Sequence, residues 1–416
     1  MPHIPDPSRS RMLRLTALCT AAYFVSYISR INLSAAMVEI AASGFAPETT
    51  IALALSICSV TYGAGQILSG WLGDTFRPQA IVCLGFLLTG SMNLLVAWLP
   101  DPRFLCIIWA VNGFAQSMMW PPMVKLLSSQ LNQQDYAKAC MWVSWGSSFG
   151  TIAVYLFTPF ILGNADFRAI FIVCGGCALG MAIVWHALCR RLFRNWTASS
   201  PAADIASDQQ PHLSDVRPLG LRAIFLVGMV ILSIMMQGAL RDGVTNWLPT
   251  LLTNTFSLDN GTAILSGVCL PIFHILCTRL ASWVYSRFLR NELICAGTIF
   301  AVGFTGVTLL SFFGAGNALC TVILLGLLVG CMHGVNLILV CMVPPYFGKY
   351  GHVSLISGIV NSGTYVGAAI STYGIALFSD VFGWHSTLYL WGAIAAVGML
   401  ICWCMARRWA RFVRQS

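Results

Sequence analysis

Two arginines carry the most distinctive chemistry in this chain. Arg30 lies inside the apolar run LRLTALCTAAYFVSYISRINLSAAM, and Arg241 inside IFLVGMVILSIMMQGALRDGVTNWLPTLL. A guanidinium cannot shed its charge, and holding one at bilayer depth costs at least about 2.5–3.5 kcal/mol. It persists where it meets a water-filled cavity, an acidic partner or an anionic ligand. One such arginine per half, 211 positions apart in a chain of 416, points to an anion site between two pseudo-symmetric halves.

The neighbours of each arginine fit that chemistry. Tyr23, Tyr27 and Arg30 follow i, i+4, i+7 and share one helical face, so two phenols and a guanidinium form a donor stripe suited to an oxyanion. Around the second arginine, Ser233, Gln237, Arg241 and Thr245 repeat every four residues. Asp242 adjoins Arg241, but adjacent helical side chains point about 100° apart. Asp242 is therefore expected to neutralise a different cation or to carry a proton in a coupled cycle. Further polar residues could line a cavity: Asn112, Gln116 and Trp120 in the fourth apolar span, His333 and Asn336 in the tenth, and Ser357, Asn361 and Thr364 in the eleventh. Intramembrane amides and hydroxyls also tie helices together, and that alternative stays open for each. His333 is a coupling candidate alongside Asp242, and His274 is a weaker one.

These residues need membrane helices to position them. The chain is 57% hydrophobic and only 9% charged, with a mean hydropathy of +0.77. That identifies an all-α polytopic membrane protein. About twelve spans are expected, at roughly 15–37, 50–72, 79–99, 104–128, 138–162, 168–189, 222–250, 261–285, 292–313, 317–342, 353–378 and 385–405. The net charge of +9 maps almost entirely to one set of loops and helix ends, including Arg11, Arg14, Arg190, Arg191 and Arg407 to Arg414. This is the positive-inside pattern; it places both termini in the cytoplasm and suggests no nucleic-acid partner. The first apolar stretch reads as a retained helix, too long and too polar for a signal peptide. A polar segment, 191–220, divides residues 1–190 from 221–416 as a cytoplasmic linker between two six-helix bundles.

The halves also repeat. At an offset of 217, Val143–Gly150 aligns with Val360–Gly367, and the paired glycines 146/150 and 363/367 read as close helix contacts. After the second span, GWLGDTFRP (Gly70 to Pro78) places Gly70, Asp74 and Arg77 at a helix junction, where they read as a conformational latch. Most of the sixteen cysteines lie in apolar runs, and Cys174/Cys177 falls within a helix, so neither a metal site nor redox chemistry is expected. No nucleotide-binding or hydrolase motif is present, so neither an enzyme nor a cofactor is expected.

From about residue 20 to 400 the chain resembles the organophosphate:phosphate antiporter family of the major facilitator superfamily. The carriers are Gly113, Gln116, Met118, Trp120, Pro121 and Pro122 in the fourth span, Trp142 in the fifth, Tyr23, Tyr27, Arg30 and Asn32 in the first, Leu240-Arg241 with Gly243, Trp247 and Pro249 in the seventh, and Phe382 to Trp384 before the last. The resemblance implies two bundles related by pseudo-two-fold symmetry and rocker-switch antiport. It also implies Arg30 and Arg241 as paired phosphate ligands. The chain departs from the glycerol-phosphate branch at Gln66, Gly146 and Gly238, where that branch carries lysine, histidine and tyrosine. The basic helpers are gone, which points away from glycerol 3-phosphate towards a larger or less charged anion.

The expected function is secondary transport of a small organic anion, phosphorylated and exchanged for inorganic phosphate. The expected location is the inner (plasma) membrane, with the lipid bilayer as surroundings and a monomer as the working unit. Arg30, Arg241, Tyr23, Tyr27, Gln116, Trp120, Trp142 and Asn361 form the expected substrate site. A proton- or sodium-coupled symporter of a carboxylate or sugar acid is the alternative, with Asp242 coupling. A sugar-phosphate sensor is a third reading.

Overall fold

The computed structural model describes residues 7–197, 219–257, 266, 269–313 and 317–414. Among them the helices are α1 (Pro7–Ala35), α2 (Met37–Ala42), α3 (Glu48–Thr75), α4 (Pro78–Ala97), α5 (Leu105–Ser117), α6 (Trp120–Gln130), α7 (Gln133–Leu162) and α8 (Arg168–Thr197). There follow α9 (Leu221–Phe256), α10 (Cys269–Arg287), α11 (Glu292–Phe313), α12 (Ala318–Asn336) and α13 (Val353–Arg414). Ten helical stretches among the described residues are long and apolar enough to cross a membrane. The chain packs as two compact units: Met1–Pro218 with Phe347–Gly358, and Leu219–Tyr346 with Ile359–Ser416.

The departures from the expected spans have local causes. The fourth span is split between α5 and α6. Pro121 and Pro122 lack N–H groups, so the carbonyls one turn earlier lose their helical partners. Ser117 O is satisfied instead by the Ser69 hydroxyl, 2.8 Å away. The eleventh and twelfth spans run together in α13 and are broken only at Gly383, whose φ of 76° is open to glycine at little cost. Helix α8 continues to Thr197, so the first residues of the expected linker are helical. Arg190 and Arg191 on its final turns suit the negative end of the helix dipole. The remainder of the linker, and the start of the eighth span, lie outside the described residues.

In the first unit α1 packs on α7 and α8, α3 on α5, and α4 on α8. One apolar cluster includes Leu33, Ile51, Trp109 and Phe171, with Trp109 edge-on to Phe171 at 6.0 Å. Polar side chains stitch α1 to its neighbours. Asn32 donates to Asn93 Oδ1 at 2.6 Å, Asn93 donates to Ser29 O at 3.1 Å, and the Ser29 hydroxyl donates to Cys174 O at 3.1 Å. In the second unit a buried carboxylate does the same work. Glu292 accepts from Tyr285 Oη at 2.6 Å, Tyr346 Oη at 2.7 Å and Trp409 Nε1 at 2.7 Å. Sequence reasoning passed over Glu292 because two of its three donors, Tyr346 and Trp409, lie 54 and 117 residues away.

The glycine pairs pack as their spacing suggests. A Cβ on Gly146 would stand 2.6 Å from Thr20 O, and one on Gly150 would stand 2.6 Å from Phe24 O. In the second unit a Cβ on Gly367 would collide with the Met235 carbonyl, and one on Gly363 would stand 2.8 Å from Ile234. Phe24 lies six residues before Arg30, and Met235 lies six residues before Arg241. Each unit therefore clamps its arginine-bearing helix at the same register. Gly238, where the glycerol-phosphate branch has tyrosine, faces the Thr364 backbone so closely that no side chain fits.

Gly367→Val should lower the thermal unfolding midpoint by the equivalent of about 1–3 kcal/mol or more, the usual cost of overpacking. Gly374→Ala, at a helical glycine with open space around its Cβ position, should be neutral or slightly stabilising. Equal tolerance of both changes would contradict the clamp.

Candidate functional site

The two arginines are held differently in their own units. In the first, the Arg30 guanidinium carbon sits 3.9 Å from the centroid of the Tyr62 ring and 5.6 Å from that of Tyr27. Tyr62 comes from α3 and is almost fully buried. A cation over an aromatic face is favoured by the ring quadrupole, more so when desolvated. Sequence reasoning missed Tyr62; its only signal was one phenol in the second apolar span. Ring contacts continue along α1, with Tyr23 5.2 Å from Tyr27 and 5.1 Å from Trp120. The structure thus brings Tyr23, Tyr27, Arg30 and Trp120 into one cluster. Trp120 Nε1 is buried with no hydrogen-bond partner among the described residues, so it offers a donor to a polar ligand.

Gln116 has a different engagement. Ser26 Oγ donates to its Oε1 at 2.5 Å, and its Nε2 donates to Ser26 O at 3.1 Å. These bonds tie α5 to α1. Asn112 also donates to Ser29 O, at 3.3 Å, leaving its Oδ1 without a partner among the described residues. Trp142 on α7 is 47% exposed and lies edge-on to Trp145 at 4.9 Å.

In the second unit Arg241 and Asp242 form a bidentate pair. Arg241 Nε donates to Oδ1 at 2.6 Å, and an Nη donates to Oδ2 at 2.9 Å. This corrects the expectation that Asp242 would serve another cation. The long arginine side chain reaches back over its own helix and spans the 100° between neighbours, and the planar fork matches the carboxylate. Tyr365 lies near Arg241, 5.9 Å from guanidinium carbon to ring centroid. Gln237, one turn earlier, accepts from Thr364 Oγ1 at 3.4 Å, while its Nε2 and Asn336 Nδ2 are buried without partners among the described residues. Asn361 is buried in α13.

His333 does have a partner. Its ring stacks on that of His274 with centroids 3.8 Å apart and planes 15° from parallel. The residue expected to be the weaker candidate is the one that completes the pair.

At the junction after α3, Asp74 accepts from the backbone N–H groups of Ser354 at 2.9 Å and Leu355 at 2.7 Å, both in the first turn of α13 and both in the first unit. A carboxylate there meets unpaired amides and the positive end of the helix dipole. Gly70 permits the crossing, since a Cβ on it would stand 2.7 Å from Ser354 O. The cation at this junction is Lys125, not the exposed Arg77. Lys125 Nζ lies 3.6 Å from Asp74 Oδ1 and donates to Gly73 O and Asp74 O at 3.0 Å each. Lys125 was missed because it lies some fifty residues away on α6.

The chain matches the Major Facilitator Superfamily over residues 19–346. It belongs to that family. It is a multi-pass membrane transporter, not an enzyme. Its relatives include the membrane sensor protein UhpC of Salmonella typhimurium, 21% identical over 68% of this chain and 67% of that protein. They also include the glycerol-3-phosphate transporter of Bacillus subtilis, 24% identical over 70% of this chain and 69% of that protein. Among solved structures, the proton:xylose symporter XylE matches with a TM-score of 0.77 at 14% identity, over 95% of this chain and 96% of that one. This last likeness establishes the fold alone.

Tyr62→Leu should destabilise the protein by about 0.5–2 kcal/mol, the worth of a desolvated cation–π contact. Tyr62→Phe, which keeps the ring face, should stay near wild type in thermal unfolding. Equal losses would assign the effect to the hydroxyl and not to the ring.

Proposed function

We propose that the protein is a secondary transporter of a small organic anion of the phosphorylated-metabolite class, exchanged for inorganic phosphate by rocker-switch alternating access. The observation that carries this reading is Arg30, a charged group kept inside an apolar helix on the face of Tyr62. A guanidinium on an aromatic ring keeps its positive charge, and its planar geometry matches a phosphoryl or carboxylate group. Arg30 and Arg241 bind the anion, Tyr23 and Tyr27 donate hydrogen bonds, and Trp120, Trp142 and Asn361 shape the pocket. Gln116 holds α1 and α5 in place for it. Relatives that carry the names "Glycerol-3-phosphate transporter" and "Probable hexose phosphate transport protein" support the substrate class. The working unit is a monomer in the inner membrane with both termini cytoplasmic. The Asp74, Gly70 and Lys125 junction serves as the latch that favours one state of the cycle.

The Arg241–Asp242 pair favours a second reading. Its carboxylate cancels much of the local positive field, which suits a monoanion and a coupling proton or sodium ion better than a phosphate dianion. Asp242 and the His274–His333 stack would then be the coupling groups.

The test is labelled-phosphate exchange in phosphate-loaded proteoliposomes. Wild type should exchange, Arg30→Ala and Arg241→Ala should each lose at least about tenfold, the worth of one charge-assisted bond, and Asp242→Asn should retain exchange. Absence of exchange in wild type, with uptake of a carboxylate that needs a pH or sodium gradient, would replace the antiporter by the symporter.

A further inference from the structure

A groove between α1 and α8 in the first unit has no part in the reading above. It encloses about 750 Å³ and is lined by Arg11, Arg14, Ala17, Leu18, Ala21, Met181, Val184, Leu188, Arg191 and Leu192. The lining follows a simple register. On α1, residues 11, 14, 18 and 21 recur at i, i+3, i+7, i+10; on α8, residues 181, 184, 188 and 191 do the same. Each series marks one face of its helix. Arg11 and Arg14 open α1, while Arg191 is near the end of α8. The two helices thus present their arginines at the same end of the groove and their apolar residues along the rest. None of the ten lining residues is acidic.

We infer that this groove binds an anionic phospholipid, with the phosphate among Arg11, Arg14 and Arg191 and an acyl chain against Leu18, Ala21, Met181, Val184 and Leu188. The charge gradient along the groove is that of the lipid itself. Three guanidiniums at one end match a phosphodiester through charge-assisted hydrogen bonds, and an aliphatic trough takes hydrocarbon. The volume lies within the roughly 300–1,000 Å³ of ligand-sized sites. Basic clusters at helix ends on the positively charged side of a membrane protein meet anionic headgroups at that depth. Inorganic phosphate would use only the arginines and leave the trough bare. The acidic segment 198–218 offers the trough only Ile205, Leu213 and Val216 as large aliphatic side chains.

The test is native mass spectrometry of the full-length purified protein titrated with cardiolipin, phosphatidylglycerol or phosphatidylcholine. Wild type should keep the anionic lipids at collision energies that strip phosphatidylcholine. The triple change Arg11→Gln, Arg14→Gln, Arg191→Gln should weaken that retention by about a hundredfold, from three surface-charge contacts. Ala21→Trp, which fills the trough and keeps every charge, should weaken it too. Arg411→Gln with Arg414→Gln, basic changes elsewhere, should leave it unchanged. Three results would overturn the inference: undiminished retention in the triple variant, undiminished retention in Ala21→Trp with displacement by millimolar inorganic phosphate, or lipid binding that appears only after residues 198–218 are deleted.

Discussion

A guanidinium inside an apolar helix is the constraint on which this structure turns. It costs several kcal/mol at bilayer depth and cannot be neutralised by losing a proton. Each unit answers in its own way. The first sets Arg30 on the ring of Tyr62, with Tyr27 beside it. The second closes Arg241 onto the adjacent carboxylate of Asp242, with Tyr365 near. The first unit sets its arginine against aromatic rings, and the second sets its arginine against a carboxylate. The two arginines are repeats in sequence but not in their surroundings.

The scaffold around them is built to hold helices still. In both units a glycine meets a backbone carbonyl six residues before the arginine, at Phe24 and at Met235. Contacts this close leave no room for a side chain and fix the helix in rotation and height. In the first unit, amides and hydroxyls reinforce the clamp. Asn32, Asn93, Ser29, Ser26 and Gln116 cross-link α1 to α4, α5 and α8. The break before Trp120 belongs to the same design. Two prolines interrupt the fourth span, Ser69 caps the freed Ser117 carbonyl, and Trp120 is turned against Tyr23.

Much of this was legible in the sequence, because membrane helices announce themselves by composition and the repeat by glycine spacing. The tyrosine stripe and both arginines could be read from periodicity alone. What stayed hidden depends on partners distant in sequence or on side-chain reach. Tyr62, Lys125 and Glu292 each act through residues on other helices, and no spacing rule connects them. Gln116 reads as a pocket residue by position, yet its hydrogen bonds go to Ser26. Asp242 was misjudged because helical geometry separates neighbouring Cβ vectors but not the ends of long flexible side chains. The fourth span looks continuous by hydropathy, and Pro121 and Pro122 are the local signal of its break between α5 and α6.

The central claim is that the intramembrane arginines are kept for anion recognition and not for packing. The direct measurement is phosphate binding to the purified protein by calorimetry, with unfolding of the ligand-free protein followed in parallel, for wild type, Arg30→Gln and Arg241→Gln. The account predicts that each change weakens binding by at least about tenfold, while Arg30→Gln leaves the ligand-free unfolding midpoint unchanged or higher, since it removes a half-buried charge whose desolvation costs more than the ring contact returns. Unaltered affinity with a lowered midpoint in Arg30→Gln would contradict the account and make that arginine structural.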